Sequence, residues 1–276
     1  MKILLIHGDI FPWATSNRAL EFKKRWVDDE VDICNCSELP DTSKYDIIHI
    51  LFSGGITQLK SLVMKNKDKV YTTLASQRTL DLVYDKEQDL RDVYANSKKV
   101  VCQNPNLKNK LIELIGSQHT DKIVYIPNGV DEKIFNREFV VGFVGTDQAH
   151  HREYKGFPLV EQACNELGLK LVRTHNSYPN NVIPNDKMPD FYNQIDCLII
   201  PSMGEGCNNP TMEALSMNIP VITTRVGIAE ELDGVILVDR NVDSIKGALR
   251  RLSGRIQILE KYTWDKIAQD YHNLYV

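Results

Sequence analysis

The chain has 276 residues, 42% of them hydrophobic and 25% charged, and a formal net charge of −4. This balance is ordinary for a globular protein and argues against broad nonspecific binding to nucleic acid as the main activity. The six cysteines are dispersed without a CxxC pair, which predicts reduced structural thiols rather than a zinc or disulfide framework.

The first half of the chain alternates short apolar runs with amphipathic stretches. Strands are predicted at KILLIHG, VDICN, DIIHILF, KVYTTLA, KKVVCQN and KIVYIPNG. Helices are predicted at SNRALEFKKRW, with Ser16 or Asn17 as its cap, and at ITQLKSLVMKNK, TLDLVYDKEQDLRDVYANS and NLKNKLIELIG. Strands that alternate with helices of this length indicate a parallel α/β sheet.

The pattern restarts between residues 128 and 140. Strands are predicted at FVVGFVGT, KLVRTH, DCLIIPS, PVITT and GVILVD, and helices at KGFPLVEQACNELG, MPDFYNQ, NPTMEALSMN, GIAEEL, SIKGALRRLSG and TWDKIAQDYHNLY. The sequence therefore predicts two α/β domains, 1–128 and 129–276, and the last helix is a candidate to cross back to the first domain. Ligands of such sheets bind at the carboxyl ends of strands, so we expect the site in a cleft between the domains.

The lengths of the apolar runs in the sequence indicate where the protein is expected to be located. The chain contains no run of about 18 apolar residues, so no transmembrane segment is expected. The apolar run of the N-terminal MKILLIHG is too short for a signal peptide, which makes the cytoplasm the expected location.

The segment PSMGEGCNNPTMEA, at 201–214, places two carboxylates around a short loop that enters a helix near Pro210. Free amides at a helix start favour an anion or hydroxyl groups, and carboxylates accept hydrogen bonds from vicinal diols. Glu205 and Glu213 are thus candidates to hold a sugar and a ribose. A structural alternative remains open: Asn208 or Asn209 caps the helix and Glu213 favours its first turn.

A second informative loop is VGFVGTDQAHHREYKGF, at 141–157. Lys155, with Gly156, is expected to open a helix after a strand and loop, where an ammonium group can pair with a diphosphate. Arg152 is a second candidate cation. The alternative is that both are solvated loop charges. The adjacent His150 and His151 lack a matching third ligand, so no metal site is predicted.

Four stretches in chain order resemble the family 4 retaining glycosyltransferases of the GT-B fold: VYIPNGVDEKIF, KGFPLVEQA, PSMGEGCNNPTMEALSMNIPVITT and YTWDKIAQDYHNLY. The resemblance covers residues 97–276, and the first 96 residues match in architecture only. It implies an α/β protein with two Rossmann-like, doubly wound domains facing across a cleft. It also implies a metal-independent, retaining transfer of hexosyl type from a nucleoside-diphosphate sugar, with a UDP- or GDP-sugar favoured as donor and no further cofactor.

By position, the resemblance implies that Glu205 contacts the donor sugar, Glu213 binds the ribose diol and Lys155 neutralises the leaving diphosphate. Thr146 stands where the family usually has an arginine, and Arg152 is the candidate to replace that arginine as a third catalytic group. Together with Thr146, the donor-binding residues implied are Gly145, Asn128, Gly206, Cys207, Asn208, Asn209, Pro210 and Glu213.

The first half of the chain is expected to select the acceptor: a glycan, a lipid-linked glycan, a protein or a modified DNA base. Trp13 is a candidate stacking platform, and Ser76 and Arg78 are candidates to face the acceptor. The lysine cluster Lys60, Lys65, Lys67 and Lys69 is a candidate for peripheral contact with an anionic membrane or for nucleic acid binding, against the alternative of a solvated helix face.

Two other functions remain open at this point. One is a nucleotide-sugar epimerase of GT-B fold, and the other is a non-catalytic sugar-nucleotide binding protein.

Overall fold

The structure is a computed structural model that describes residues 1–10, 14–81, 87–145, 149–174 and 183–276. The chain forms two compact units, one comprising Met1–Glu132 with Lys261–Val276 and the other Lys133–Glu260. The last helix therefore belongs to the first unit. The predicted domain boundary at 128 stays a prediction.

The first unit is built on a six-stranded parallel sheet. Its strands are β1 Lys2–His7, β2 Glu30–Asn35, β3 Ile47–Ile50, β4 Val70–Leu74, β5 Lys99–Cys102 and β6 Ile123–Tyr125, in the order β2-β1-β3-β4-β5-β6. Its helices are α1 Ala14–Arg25, α2 Lys60–Lys65, α3 Arg78–Asp81, α4 Glu87–Asn96, α5 Pro105–Ile115 and, from the chain's end, α12 Trp264–His272. β3 and β4 are buried throughout, as expected for parallel strands covered on both faces.

The cap predicted for α1 is wrong. Ser16 and Asn17 lie inside the helix, and the Asp9 carboxylate accepts hydrogen bonds from the backbone N–H groups of Thr15 and Ser16, at 2.9 and 2.7 Å. The carboxylate satisfies N–H donors that have no partner within the helix. Its negative charge also interacts favourably with the positive end of the helix dipole. The sequence pattern missed it because Asp9 is separated in sequence from the start of the helix at Ala14.

The C-terminal helix α12 completes the core of the first unit. Trp26 donates its indole N–H to the carbonyl of Ala268 at 3.0 Å and stacks on Phe22 at 4.7 Å. Tyr271 is fully buried and lies 4.6 Å from Phe22 between ring centroids. Helix α12 therefore packs beside α1 in the same hydrophobic core against the sheet.

The second unit is a five-stranded parallel sheet with helices. Its strands are β7 Val140–Phe143, β8 Lys170–Arg173, β9 Cys197–Ile200, β10 Val221–Thr223 and β11 Val235–Leu237, in the order β11-β10-β9-β7-β8. Its helices are α6 Ala149–Lys155, α7 Phe157–Leu167, α8 Met188–Tyr192, α9 Asn209–Ser216, α10 Val242–Leu252 and α11 Gly254–Lys261. The packing of α7 and α10 against this sheet forms its main hydrophobic core.

The predicted elements differ from the structure at three places. Lys155 ends α6 rather than opening α7, because Gly156 adopts a left-handed backbone (φ 78°) between the two helices. The GIAEEL segment forms only a short 3-10 turn, Ala229–Glu231, and α11 was not predicted.

The predicted fold class, an α/β protein with two Rossmann-like units, is confirmed by two parallel sheets of six and five strands with their helices. Within the described ranges, no helix combines the length and the apolar character needed to span a membrane.

Candidate functional site

The loop that carries Glu205 lies between a buried strand and a helix of the second unit. All four residues of β9 are buried, so the strand is fixed and delivers the chain to Pro201. Helix α9 then begins at Asn209, with Pro210 in its first turn, as predicted. We call the loop that connects them, residues 201–208, the donor loop.

Asn208 does not cap α9, so that structural alternative is wrong. Its backbone is left-handed (φ 47°), and its side chain makes no capping hydrogen bond. Asn208 is 9% exposed, and its Nδ2 lacks a partner within the described residues. The left-handed backbone directs the chain from the donor loop into the helix, and asparagine tolerates this conformation better than most residues.

Glu205 accepts two short hydrogen bonds on a single carboxylate oxygen. Its Oε1 lies 2.6 Å from Nζ of Lys155 and 2.6 Å from Oγ of Ser202. The Glu205 side chain is 10% exposed and that of Lys155 is 29% exposed. The structure therefore brings together the two residues that the sequence assigned to the sugar and to the diphosphate. Oε2 of Glu205 takes part in neither of these two bonds.

Two glycines let the donor loop pack closely on its neighbours. A Cβ on Gly156 would lie 2.5 Å from the carbonyl oxygen of Pro201. A Cβ on Gly227, whose φ is +59°, would lie 2.1 Å from the carbonyl oxygen of Gly206. Since real Cβ atoms do not approach oxygen this closely, glycine at 156 and 227 fixes the position of the loop on both sides.

Glu213 lies on α9 and has a different partner. The hydroxyl of Tyr192 donates to Oε2 of Glu213 at 2.7 Å, and Tyr192 is 1% exposed. Burial, and then the Glu213 carboxylate, raise the pKa of Tyr192 well above its ordinary value, so the phenol remains a donor. One oxygen of Glu213 is thus held from inside the unit.

A cavity of about 590 Å³ lies against the Glu205 end of the donor loop. Its lining residues are His151, Tyr154, Lys155, Gly204, Glu205 and Gly206. A volume of this size is typical of small-molecule sites. The arrangement presents an ammonium group, a carboxylate and loop backbone to the same space.

Several predicted site residues have other neighbours. Arg152 forms an ion pair with Glu161 at 2.9 Å, rather than with Glu205, and lies over the Phe157 ring at 4.7 Å. The side chain of Asn128, in the first unit, hydrogen-bonds with Gln103 at 2.7 Å.

Gly145 donates its backbone N–H to Oγ1 of Thr174 at 3.2 Å. Cys207 is exposed, and its sulfur lies 3.6 Å from that of Met212. Thr146 and Trp13 lie outside the described residues.

On the first unit, Ser76 and Arg78 are exposed, and the backbone N–H of Arg78 donates to Oγ of Ser76 at 3.2 Å. The lysine cluster does not present four equivalent cations. Lys60 pairs with Asp89 and Asp92, each at 2.6 Å, and Lys69 donates to backbone carbonyls.

Sequence reasoning missed three residues that shape the site. The hydroxyl of Ser202 donates to Glu205 and that of Tyr192 donates to Glu213, and no local sequence pattern indicates either bond. Arg240 donates to the carbonyl of Pro201 at 3.0 Å, although it lies far from the donor loop in sequence. Its one sequence signal is its position just past the carboxyl end of a predicted strand, GVILVD, at the edge where ligands of parallel sheets bind.

Residues 141–254 match the family described as Glycosyl transferases group 1. This segment lies wholly within the second unit and includes Lys155, Glu205 and Glu213. The predicted resemblance to glycosyltransferases is thereby confirmed for this segment of the chain. Its assignment to family 4 stays a prediction.

Curated relatives of this chain are glycosyltransferases as well. An uncharacterized glycosyltransferase of Methanocaldococcus jannaschii is 26% identical over 133 residues, 42% of this chain and 33% of the relative. The capsular polysaccharide biosynthesis glycosyltransferase CapM of Staphylococcus aureus is 26% identical over 187 residues, 58% of this chain and 49% of CapM. The chain therefore matches half or less of the length of these two relatives.

Solved structures were also found to be similar. HepE of Anabaena, in complex with UDP and glucose, has a TM-score of 0.43 and 12% identity, with 99% of each chain covered. Sucrose-phosphate synthase from Thermosynechococcus elongatus has a TM-score of 0.42 and 12% identity, covering 99% of this chain and 98% of the synthase. At TM-scores this low, the fold class rests on the strand orders of this chain itself.

Proposed function

We propose that this protein is a retaining, metal-independent glycosyltransferase that moves a hexosyl group from a nucleoside-diphosphate sugar to an acceptor hydroxyl. The observation that carries the proposal is the contact of Lys155 with Glu205 beside a cavity of about 590 Å³, inside the segment that matches the group 1 family. A UDP- or GDP-sugar is the favoured donor. The acceptor class stays open among glycan, lipid-linked glycan, protein and modified DNA.

The proposed reaction needs charge stabilisation more than covalent chemistry. The bond from the sugar C1 to the diphosphate oxygen breaks, and its electron pair remains on the diphosphate. The acceptor oxygen bonds to C1 on the same face, and the acceptor proton passes to the departing phosphate oxygen. Lys155 would neutralise the charge that develops on the phosphate, while Glu205 would orient the sugar.

The two glutamates would act at opposite ends of the donor. Glu205, with Oε1 held by Lys155 and Ser202, is placed to accept hydrogen bonds from sugar hydroxyls through its remaining oxygen. Glu213, with Oε2 held by Tyr192, is placed to accept from a ribose diol. The start of α9 lies between them, where backbone N–H groups favour phosphate.

The first test is ligand binding. A thermal-shift panel of UDP, GDP, ADP and their hexose derivatives should identify at least one ligand that raises the melting temperature. Transfer or hydrolysis is then measured with that nucleotide sugar. No stabilisation by any nucleotide, together with no turnover of any donor, would contradict the proposal. An isomerised donor would indicate an epimerase, and binding without turnover would indicate a non-catalytic protein.

The second test is substitution of the two facing residues. Glu205→Gln should lower kcat by roughly 100-fold, since removal of one preorganised group costs about this much, and should change nucleotide affinity little. Lys155→Met should weaken binding of the nucleoside diphosphate by about tenfold, the loss expected for one charged contact. Lys170→Met is the matched control, since Lys170 forms an exposed pair with Glu138 in the same unit. It should alter neither quantity.

A further inference from the structure

Arg240 links the two segments that carry Lys155 and Glu205. It follows β11, and its Nε donates to the carbonyl oxygen of Pro201 at 3.0 Å. Its Nη2 donates to the carbonyl oxygen of Glu153. Pro201 opens the donor loop, and Glu153 lies in the last turn of α6, two residues before Lys155. One guanidinium group therefore bonds the backbones on both sides of the Lys155–Glu205 contact.

The two segments share few other backbone bonds. The N–H of Met203 donates to the carbonyl oxygen of Tyr154 at 3.0 Å, and Gly156 allows the close approach to Pro201. Arg240 forms no ion pair within the described residues, so its hydrogen bonds to carbonyls are not diverted to a carboxylate. A planar guanidinium group holds two carbonyls in a fixed relative geometry, whereas the rotatable donors of an ammonium group fix that geometry less strictly.

We propose that Arg240 is a positioning residue that sets the separation between Lys155 and Glu205 by holding α6 and the donor loop together. It acts through the carbonyls of Glu153 and Pro201 and touches neither the donor nor the acceptor. The expected loss of turnover rests on the proposed transferase function, whereas the expected change in hydrogen exchange at the donor loop does not.

The variants are Arg240→Gln, which removes the charge and the fork of donors, and Arg240→Lys, which keeps the charge alone. Arg225→Gln is the matched control. Arg225 and Arg240 line the same cavity of about 330 Å³, but Arg225 pairs with the exposed side chain of Glu230 at 2.7 Å and bonds neither segment. Melting curves and protection of β9 show whether each variant is folded.

The first readout is hydrogen exchange and needs no substrate. In Arg240→Gln, the amide of Met203 should exchange at least tenfold faster, while the amides of β9 keep their protection. Arg240→Lys should lie between this variant and the wild type, because one ammonium group cannot reach both carbonyls with the same geometry. Arg225→Gln should match the wild type. Unchanged exchange at Met203 in both Arg240 variants overturns the proposal.

The second readout is turnover of the donor identified by the binding panel. Arg240→Gln should lower kcat at least tenfold and change the Kd of the nucleoside diphosphate less than threefold, since misplacement costs rate more than binding. Arg240→Lys should recover part of kcat. If Kd weakens more for the diphosphate than for the monophosphate while exchange at Met203 is unchanged, Arg240 is a phosphate ligand and the proposal is wrong. If no donor is turned over, the transferase function fails, and hydrogen exchange still decides the role of Arg240.

Discussion

Tyr192 is the residue that most directly shapes the proposed ribose contact. Its buried hydroxyl donates to Oε2 of Glu213 at 2.7 Å, and the proposed ribose contact would use Oε1. Tyr192→Phe should release the carboxylate and lower the preference for a ribonucleotide over its 2′-deoxy analogue by about three- to tenfold, the net effect expected for one typical hydrogen bond. Isothermal titration with both nucleotides measures this ratio.

Tyr154→Phe is the control for that experiment. Tyr154 lines the cavity at the Glu205 end of the donor loop rather than at Glu213. It should leave the preference for ribose unchanged even if total affinity falls. An equal change of the ratio in both variants would mean that Tyr192 does not act through Glu213.

Sequence patterns singled out charged candidates for the site but not the partners that hold them. Glu205 and Lys155 could be proposed because each is a charged residue in a segment that follows a predicted strand, where ligands of parallel sheets bind. Their contact with one another, and the hydroxyl donors Ser202 and Tyr192, depend on tertiary packing that local patterns do not encode. Sequence position also suggested Arg152 as a third catalytic cation, but in the structure this residue pairs with Glu161.

At the scale of elements, the donor loop depends on Gly227 in the turn after β10. Its φ of +59°, and the 2.1 Å that would separate an added Cβ from the Gly206 oxygen, leave no room for a side chain. Gly227→Ala should displace Glu205 and Gly206, lower kcat at least tenfold and destabilise the protein by about 1–2 kcal/mol, the cost of left-handed backbone at a non-glycine residue. Turnover and chemical unfolding measure the two effects.

Gly247→Ala is the control for this substitution. Gly247 lies in the interior of α10, and a Cβ there would meet nothing within 4 Å. Alanine should be neutral or stabilise by up to about 1 kcal/mol through helix propensity. A loss of turnover at Gly247→Ala equal to that at Gly227→Ala would show that the loop is not the cause.

Elements with strong periodicity were predicted well, while some of their ends were not. The α7 pattern gave the helix end at Gly168, which adopts the left-handed backbone that terminates helices. The start was wrong because Lys155 continues α6 and the break falls at Gly156. GIAEEL has helical composition but forms a single 3-10 turn, Ala229–Glu231, between β10 and β11.

At the scale of the whole molecule, alternating strands and helices were sufficient to predict two parallel sheets. They did not establish that α12 packs in the first unit, because the residues that fix it are distant in sequence. Trp26 bonds to Ala268, and the hydroxyl of Tyr275 lies 2.6 Å from Nδ1 of His49. The end of the chain therefore contributes to the core of the unit in which the chain begins.

His49 gives the first unit a predictable sensitivity to acid. It is fully buried between Tyr275 and Thr73, and burial, with a smaller contribution from the charge of Arg18, lowers its pKa to about 3. The unfolded chain binds a proton at this residue below about pH 6.5, whereas the folded chain does not. Stability is therefore fully present above pH 6.5 and falls as the pH is lowered toward 3, by up to about 1.4 kcal/mol per pH unit.

His49→Gln should flatten this slope, because glutamine does not titrate. The measurement is hydrogen exchange of the β3 and β4 amides between pH 7.5 and 4.5, with intrinsic exchange rates corrected for pH and converted to opening free energies. His151→Gln, at an exposed position of the second unit, should keep the wild-type slope. Because the slope is compared rather than the absolute stability, a uniformly weaker His49→Gln variant remains informative. Equal slopes in the wild type and His49→Gln would show that His49 does not set the acid limit of the first unit.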